Sequence, residues 1–301
     1  MQSIRLAHIS DIHVTAEACR WSGSDYLNKR MAAWMNLRFL GRGRLFRMAD
    51  VVIAALLDDL RQRRPDRVIF SGDATALGFE EEMHRAVSLL GLHGDDVLPG
   101  LAVPGNHDYC THHAVSSGHF ERHFAPWLQG ERLDSAVYPF AQKVGGAWLI
   151  GVNSARANRW AWDASGHVGP GQLQRLNRLL RDLPPGPRIL VTHYPVTRAS
   201  GKLEFRSHRL SDVHDLAETA REGGVNLWLH GHVHRPYRLD RTFLTPFPVI
   251  CAGSSTQSNR WSYFEYTLTG HHLRALRRTF SLESGKFQDD EFFEINLPAG
   301  G

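Results

Sequence analysis

Cysteine is scarce in this chain: 301 residues include three, Cys19, Cys110 and Cys251, widely separated and in no CxxC pair. That argues against a disulfide framework and against a cysteine-based structural zinc site, and it suits a reducing, cytoplasmic setting. Long apolar runs are missing too, so no spanning helix is expected. The N-terminal stretch lacks an extended apolar region ahead of a cleavage site and reads as a strand rather than a signal peptide. Charge of one sign is not in excess: 35 Lys and Arg face 31 Asp and Glu, and a net +4 is weak evidence for a polyanionic partner. Neither an internal repeat nor a low-complexity linker appears. What the chain does have is 42% hydrophobic and 22% charged residues, enough for a large core, and 18 histidines. Imidazole is the commonest metal ligand and proton carrier, so the positions of those histidines matter most.

Strands and helices alternate along the sequence. Ile4–Ser10 reads as a first buried strand, Arg67–Ser71 as a second and Val97–Pro104 as a third. Ala49–Arg63 and Glu80–Leu90 carry helical apolar stripes, the latter with acids in its first turn. Val137–Lys143 and Ala147–Asn153 form a hairpin around Gly145-Gly146, and Pro170–Asp182 is a helix stopped by a proline-rich turn. Arg188–Thr192 and Val225–His230 are strands separated by a helix over Asp212–Glu222. Pro248–Ala252, Tyr263–Thr267 and His271–Phe280 finish as antiparallel strands. One domain over residues 1–301 is expected, interrupted by a basic, helical insert at 17–47 and followed by a tail of uncertain order at 281–301.

Five short motifs each place oxygen or imidazole donors just beyond the carboxyl end of an apolar strand, the edge where open α/β sheets bind ligands. They are Asp11-Ile12-His13, Gly72-Asp73, Gly105-Asn106-His107-Asp108, His193, and Gly231-His232-Val233-His234. Residues two apart in an extended segment face one side, so Asp11 with His13, and His232 with His234, are expected to converge. The glycines remove bulk where backbones crowd. Any one motif alone reads more simply as a turn. Together, Asp11, His13, Asp73, Asn106, His193, His232 and His234 are too many donors for one tetrahedral zinc and suit two cations sharing a carboxylate.

In order and content these motifs resemble the calcineurin-like metallophosphoesterase family, over about Ile4 to Ser254. The resemblance implies an α/β fold, a four-layer αββα sandwich, and two divalent metal ions. By motif, Asp11, His13 and His234 would hold the first ion, Asn106, His193 and His232 the second, and Asp73 would bridge. His107 would contact phosphate and protonate the leaving oxygen, with Asp108 as a candidate to orient it. The implied reaction is in-line attack of metal-bound hydroxide on a phosphodiester or pyrophosphate. The donor set accepts Mn, Fe, Zn or Co, and availability decides.

The substrate is less legible. Cyclic-nucleotide phosphodiesterases of the family commonly carry a second acid soon after the bridging one, whereas Gly72-Asp73-Ala74-Thr75-Ala76 has none. The insert holds Arg20, Lys29, Arg30, Arg38, Arg42, Arg44 and Arg47 against one acid, Asp25, interleaved with aromatic and aliphatic residues. Such a stretch fits an interfacial helix contacting anionic headgroups at the inner membrane face, or a helical hairpin packed on the domain. On the first reading the chain is similar to the family's UDP-diacylglucosamine pyrophosphohydrolases. Nucleic acid is disfavoured, because the basic residues are confined to one segment. A non-catalytic binding scaffold is the alternative of another class, though no donor is missing. His112, His113, His119 and His123 are expected on a loop or helix face, and His230 in the packing. Trp160 and Trp162 either line a substrate pocket or cap the core, and Arg206, His208 and Arg209 either bind substrate phosphate or stand on a solvated loop.

Overall fold

The structure, a computed structural model, describes residues 3–298. Twelve strands make two six-stranded sheets. In the first, β1 (Ile4–Ile9), β2 (Arg67–Phe70) and β3 (Gly100–Ala102) run parallel, joined by helix α3 (Ala49–Arg63) and helix α4 (Glu80–Leu89). Helix α1 (Lys29–Phe39) and helix α2 (Arg42–Leu45) belong to the insert, and α5 (His112–Ser116) and α6 (His119–His123) follow β3. The second sheet begins with the hairpin of β4 (Phe140–Val144) and β5 (Ala147–Gly151). It continues in parallel through α7 (Pro170–Asp182) to β6 (Arg188–Val191) and through α8 (Val213–Glu222) to β7 (Leu227–His230). β8 (Tyr237–Leu239) and β9 (Val249–Cys251) close that sheet. The chain then returns to the first sheet, where β10 (Ser262–Thr269), β11 (His272–Ser281) and β12 (Lys286–Asn296) extend it antiparallel from β1.

Parallel neighbours need crossovers, and those helices cover the sheets. Val52, Leu56 and Leu60 of α3, Met83 and Val87 of α4, Leu176 and Leu180 of α7, and Leu216 and Ala220 of α8 all join one buried cluster with the strands. The result is the αββα sandwich expected from the sequence. Pro170 opens α7 at a position where the missing N–H costs nothing. Arg64, left-handed at φ 50°, ends α3 ahead of Pro65. Among the described residues, no helix is long and apolar enough to cross a membrane.

Two expectations need correction. The third strand is shorter than 97–104: on its approach Trp127 donates its indole N–H to the Leu98 carbonyl and packs on Gly100. Residues 112–123, whose histidines are expected from sequence on a loop or helix face, form two short helices. The expected tail is a strand, since β12 pairs with β11 from Ser281↔Lys286 to His272↔Asn296. Its run of acids disguises it, because Asp289 and Asp290 are cross-strand partners of Arg278 and Arg277. Residues 299–301 of that tail lie outside the described residues.

The insert folds onto the domain. Trp21, Trp34 and Leu37 pack on a small second core of Ala76, Leu77 and Phe79, the segment that follows Asp73. Buried Arg30 donates to the carbonyls of Leu77 and Gly78 and to Asp25, and its guanidinium lies 3.9 Å from the centroid of Phe79. Lys29 donates to the carbonyl of Asp163, in the Trp160–Ala164 loop of the other half. Apolar residues face outward instead: Leu27 is 91% exposed, Leu40 78% and Phe39 69%.

Candidate metal centre

β1, β2 and β3 are parallel neighbours in one sheet and β6 and β7 in the other, so all five motifs leave their strands on one edge of the sandwich. There the seven donors expected from sequence meet. Oδ1 of Asp11 lies 3.1 Å from Nε2 of His234 and 3.8 Å from Nε2 of His13, and those two nitrogens are 3.0 Å apart. Oδ2 of Asp73 is 3.6 Å from His13 Nε2 on one side and 3.5 Å from His193 Nε2 on the other. Beyond it, Oδ1 of Asn106 is 3.2 Å from His193 Nε2 and 3.0 Å from His232 Nδ1.

The ring tautomers follow from the far nitrogens. A carbonyl oxygen only accepts, so a ring nitrogen facing one must carry the proton. Nδ1 of His13 faces the Thr75 carbonyl, Nδ1 of His193 the Ser71 carbonyl and Nε2 of His232 the His208 carbonyl. Nδ1 of His234 sits 2.6 Å from Oε1 of Gln257. In the neutral rings each inward nitrogen is therefore a lone pair. Four lone pairs converge on two carboxylates and an amide oxygen, and buried Asp11 Oδ1 accepts no hydrogen bond. Acceptors crowded this closely repel one another unless cations lie between them, so the residues present fit two divalent ions sharing Asp73.

Convergence is achieved by a different backbone from the one anticipated. Asp11 (φ 53°), His13 (44°), Asp73 (60°), His232 (71°) and His234 (59°) are all left-handed rather than extended. Such conformations cost of order 1–3 kcal/mol each in non-glycine residues and persist where surroundings overdetermine them. Here Ser254 and Thr256 donate to the carbonyls of Asp11 and Ile12. Close approach also demands glycine: a Cβ on Gly105 would stand 2.1 Å from Oδ1 of Asp73, and one on Gly231 2.0 Å from Oγ of Ser10.

The ionisation of these donors differs from ring to ring: burial works against a charged His193, but the carboxylates of Asp73 and Asp11 outweigh it and raise its pKa. Burial works against an ionised Asp11, but the imidazoles of His234 and His193 and the Ser10 hydroxyl outweigh it and hold the carboxyl at about 2. Burial lowers His13 and His232 well below the usual imidazole range, keeping them neutral. Asp73 is pushed up, by burial first.

His107 stands at the rim with Nδ1 donating to the Ala76 carbonyl, 2.7 Å away. Asp108 does not orient it. That carboxylate accepts from the backbone N–H groups of Asp73, Thr75 and Gly105 and so fastens the second and third motifs together. Arg42, counted from sequence among the insert's surface charges, reaches into the site: Nη2 is 3.0 Å from Nε2 of His107 and 3.4 Å from Nε2 of His13. Burial first, and then Arg42, lower His107 well below its usual range.

These groups floor a cleft of about 550 Å³, also lined by Phe205, His208, Gln257 and Arg260. Arg206 and Arg209 are not among its walls, and Trp160 and Trp162 stack on one another, exposed, next to it in sequence. His230 is buried against Tyr237, as expected. Sequence reading missed Arg42, Gln257 and Arg260. A signal existed for Gln257, since Gly253-Ser254-Ser255-Thr256-Gln257 also leaves a strand at the same edge.

The family described as Calcineurin-like phosphoesterase matches residues 4–236 of this chain. A Pseudoalteromonas sp. (strain SM9913) protein named "Probable cyclic nucleotide phosphodiesterase" is 27% identical over 187 residues, 60% of this chain and 61% of that protein. The chain thus spans less than two thirds of that relative's length. Among solved structures, a dimetal phosphatase from Danio rerio is similar with a TM-score of 0.64 at 13% identity, over 98% of this chain and 99% of the other. Purple acid phosphatase PPD1 of yellow lupin (Lupinus luteus) gives 0.63 at 12%, over 98% of this chain and 54% of the lupin protein.

Proposed function

The chain belongs to the calcineurin-like phosphoesterase family, and on that premise we propose that it is a phosphodiesterase hydrolysing a diester or pyrophosphate. The observation that carries this is the double cluster of imidazole nitrogens and carboxylate and amide oxygens around Asp73. Asp11, His13, Asp73 and His234 would hold one divalent cation, and Asp73, Asn106, His193 and His232 the other. Such a pair, when bound, lowers the pKa of water and neutralises charge on phosphate oxygens.

The chain's own residues do the rest. Arg42 donates to a non-bridging phosphate oxygen from the insert side, in a site where burial strengthens the interaction. His107, its ring fixed by the Ala76 carbonyl, presents Nε2 to the leaving oxygen. An anionic phosphate beside Arg42 offsets the charge that depresses His107 and raises its proton affinity, so Nε2 carries a proton to give up as the phosphorus–oxygen bond breaks. Asp108 keeps the Asp73 and Asn106 loops in register.

A lipid-linked nucleotide pyrophosphate, of the UDP-diacylglucosamine kind, is the second reading. Outward-facing Leu27, Phe39 and Leu40 on the insert and Phe205 at the cleft favour an amphiphilic substrate met at a membrane surface. The printed name of the Pseudoalteromonas relative supports a cyclic nucleotide, whereas Ala76 and its neighbours lack the second acid that branch commonly carries. A screen of monoesters, diesters, cyclic nucleotides and nucleotide-diphosphate lipids with Mn²⁺, alongside metal analysis, separates these. Hydrolysis of bis-p-nitrophenyl phosphate that survives Asn106→Ala and His107→Ala unchanged would overturn the proposed site.

A further inference from the structure

Three imidazoles gather on a part of the molecule that the metal centre does not use. His84 lies on α4, His93 in the turn beyond α4, and His123 is the last residue of α6. Their ligand nitrogens all lie within 4.8 Å of one another, with ring centroids 5.2 Å apart for His84 and His93 and 5.9 Å for His84 and His123. His84 and His123 open onto a cleft of about 800 Å³ between the insert, α4 and α6. None of the three belongs to the five strand-end motifs. The rings of His84 and His93 form no hydrogen bond among the described residues, so their lone pairs are available.

His123 is oriented from the other side. Its Nε2 lies 3.3 Å from Oε1 of Glu80, and Arg122 engages the same oxygen at 2.6 Å. A carboxylate holding a histidine in place is the usual outer support of an imidazole metal ligand. Oε1 of Glu80 is engaged by Arg122 and Oε2 faces Nδ1 of His119 at 3.6 Å, so coordination falls to the imidazoles.

We propose that His84, His93 and His123 form a peripheral transition-metal site of the Zn²⁺ class, which clamps α6 onto α4. Imidazole donors select Zn, Cu or Ni over Mg or Ca. Three histidines with solvent in the fourth position make a tetrahedral shell. Zinc–nitrogen bonds of roughly 2.0–2.1 Å put the nitrogens about 3.4 Å apart, which small rotations of two exposed rings supply. The clamp has a route to the cleft: Tyr109, two residues after His107, donates its hydroxyl to Glu121 of α6. An ion at His123 thereby steadies the loop that carries Asn106 and His107.

This site is independent of the phosphoesterase reading, and the test keeps them apart. The full chain is dialysed against Zn²⁺ alone and its metal content measured beside His84→Ala/His93→Ala, then both are repeated in an Asp11→Asn background. The expected result is one Zn²⁺ per chain fewer in the double variant in either background. Zn²⁺ at about a hundredfold excess over its Kd should also raise the wild-type Tm by about 5 °C more than that of the double variant. Both histidines are exposed, and His84→Gln/His93→Gln provides a second version should the alanine pair fold poorly. Equal Zn²⁺ content with an equal Tm rise, or a difference seen only at millimolar Zn²⁺, overturns the proposal.

Discussion

Arg42 Nη2 and His107 Nε2 lie 3.0 Å apart although 65 residues separate them in the chain. The contact joins the insert to the reaction's proposed acid. It places a guanidinium at the cleft floor where a phosphate oxygen would sit. Arg42→Ala should lower kcat/KM on bis-p-nitrophenyl phosphate by about 10²–10³-fold, the usual cost of removing one preorganised donor. Arg42→Lys should recover part of the loss, and bound metal should be unchanged. Wild-type kinetics in the alanine variant would remove Arg42 from the mechanism.

Gln257 holds the Nδ1 hydrogen of His234 and is itself 9% exposed. Gln257→Leu keeps the bulk but withdraws the acceptor, freeing the tautomer. Metal affinity, measured by competition with a chelator, should fall about 10–100-fold. Asp73→Asn should reduce both sites together, because one oxygen faces both clusters. Loss of a single ion in Asp73→Asn would mean that the carboxylate is not shared.

Glu82 is buried, accepts N–H bonds from Leu77 and Phe79, and leaves Oε1 without a partner. Burial outweighs those bonds and pushes its pKa up to about 8. Between its ordinary value near 4.5 and 8 the folded chain therefore holds a proton that the unfolded chain has lost, so stability falls as pH rises through that window. Glu82→Gln stays neutral and should be less sensitive to pH there. Parallel Tm-against-pH curves for the two proteins would show that Glu82 ionises normally.

The outward apolar residues of the insert make a prediction that leaves chemistry alone. Leu27→Ser/Phe39→Ser/Leu40→Ser should abolish binding to anionic vesicles at low salt, while turnover of a soluble diester stays within about twofold, since surface changes of this kind seldom exceed ±0.5 kcal/mol. If the wild-type protein ignores such vesicles, the membrane-surface reading fails on its own.

The candidate metal centre was legible because each motif follows a strongly apolar strand by a few residues, and strand ends at one sheet edge meet. Asp11, Asp73, Asn106, His193 and His232 could be placed from that rule without knowing which sheet held which. The left-handed backbone at five of the donors was not legible, because aspartate and histidine carry no glycine-like warning. Arg42 escaped notice for another reason. Its helix, Arg42–Leu45, is one turn long and Arg42 itself sits between Gly41 and Gly43, so no periodicity says which way the side chain points. In the insert generally, composition suggested charges outward and apolar residues inward. Arg30 reverses this by satisfying two backbone carbonyls and Asp25 at once, which only the tertiary arrangement reveals. β12 was hidden by its acids, whose partners lie on the adjacent strand.

The candidate metal centre also spans the seam between the two sheets. His13 and His234 stand 221 residues apart in sequence, and Asn106 and His193 stand 87 apart, yet each pair faces one cluster. Ions held there would act as removable cross-links that close two long loops of chain, much as covalent staples do. The protein's lifetime would then follow metal supply: a starved chain would unlock along that seam and be exposed to proteolysis, while a loaded one would be pinned shut.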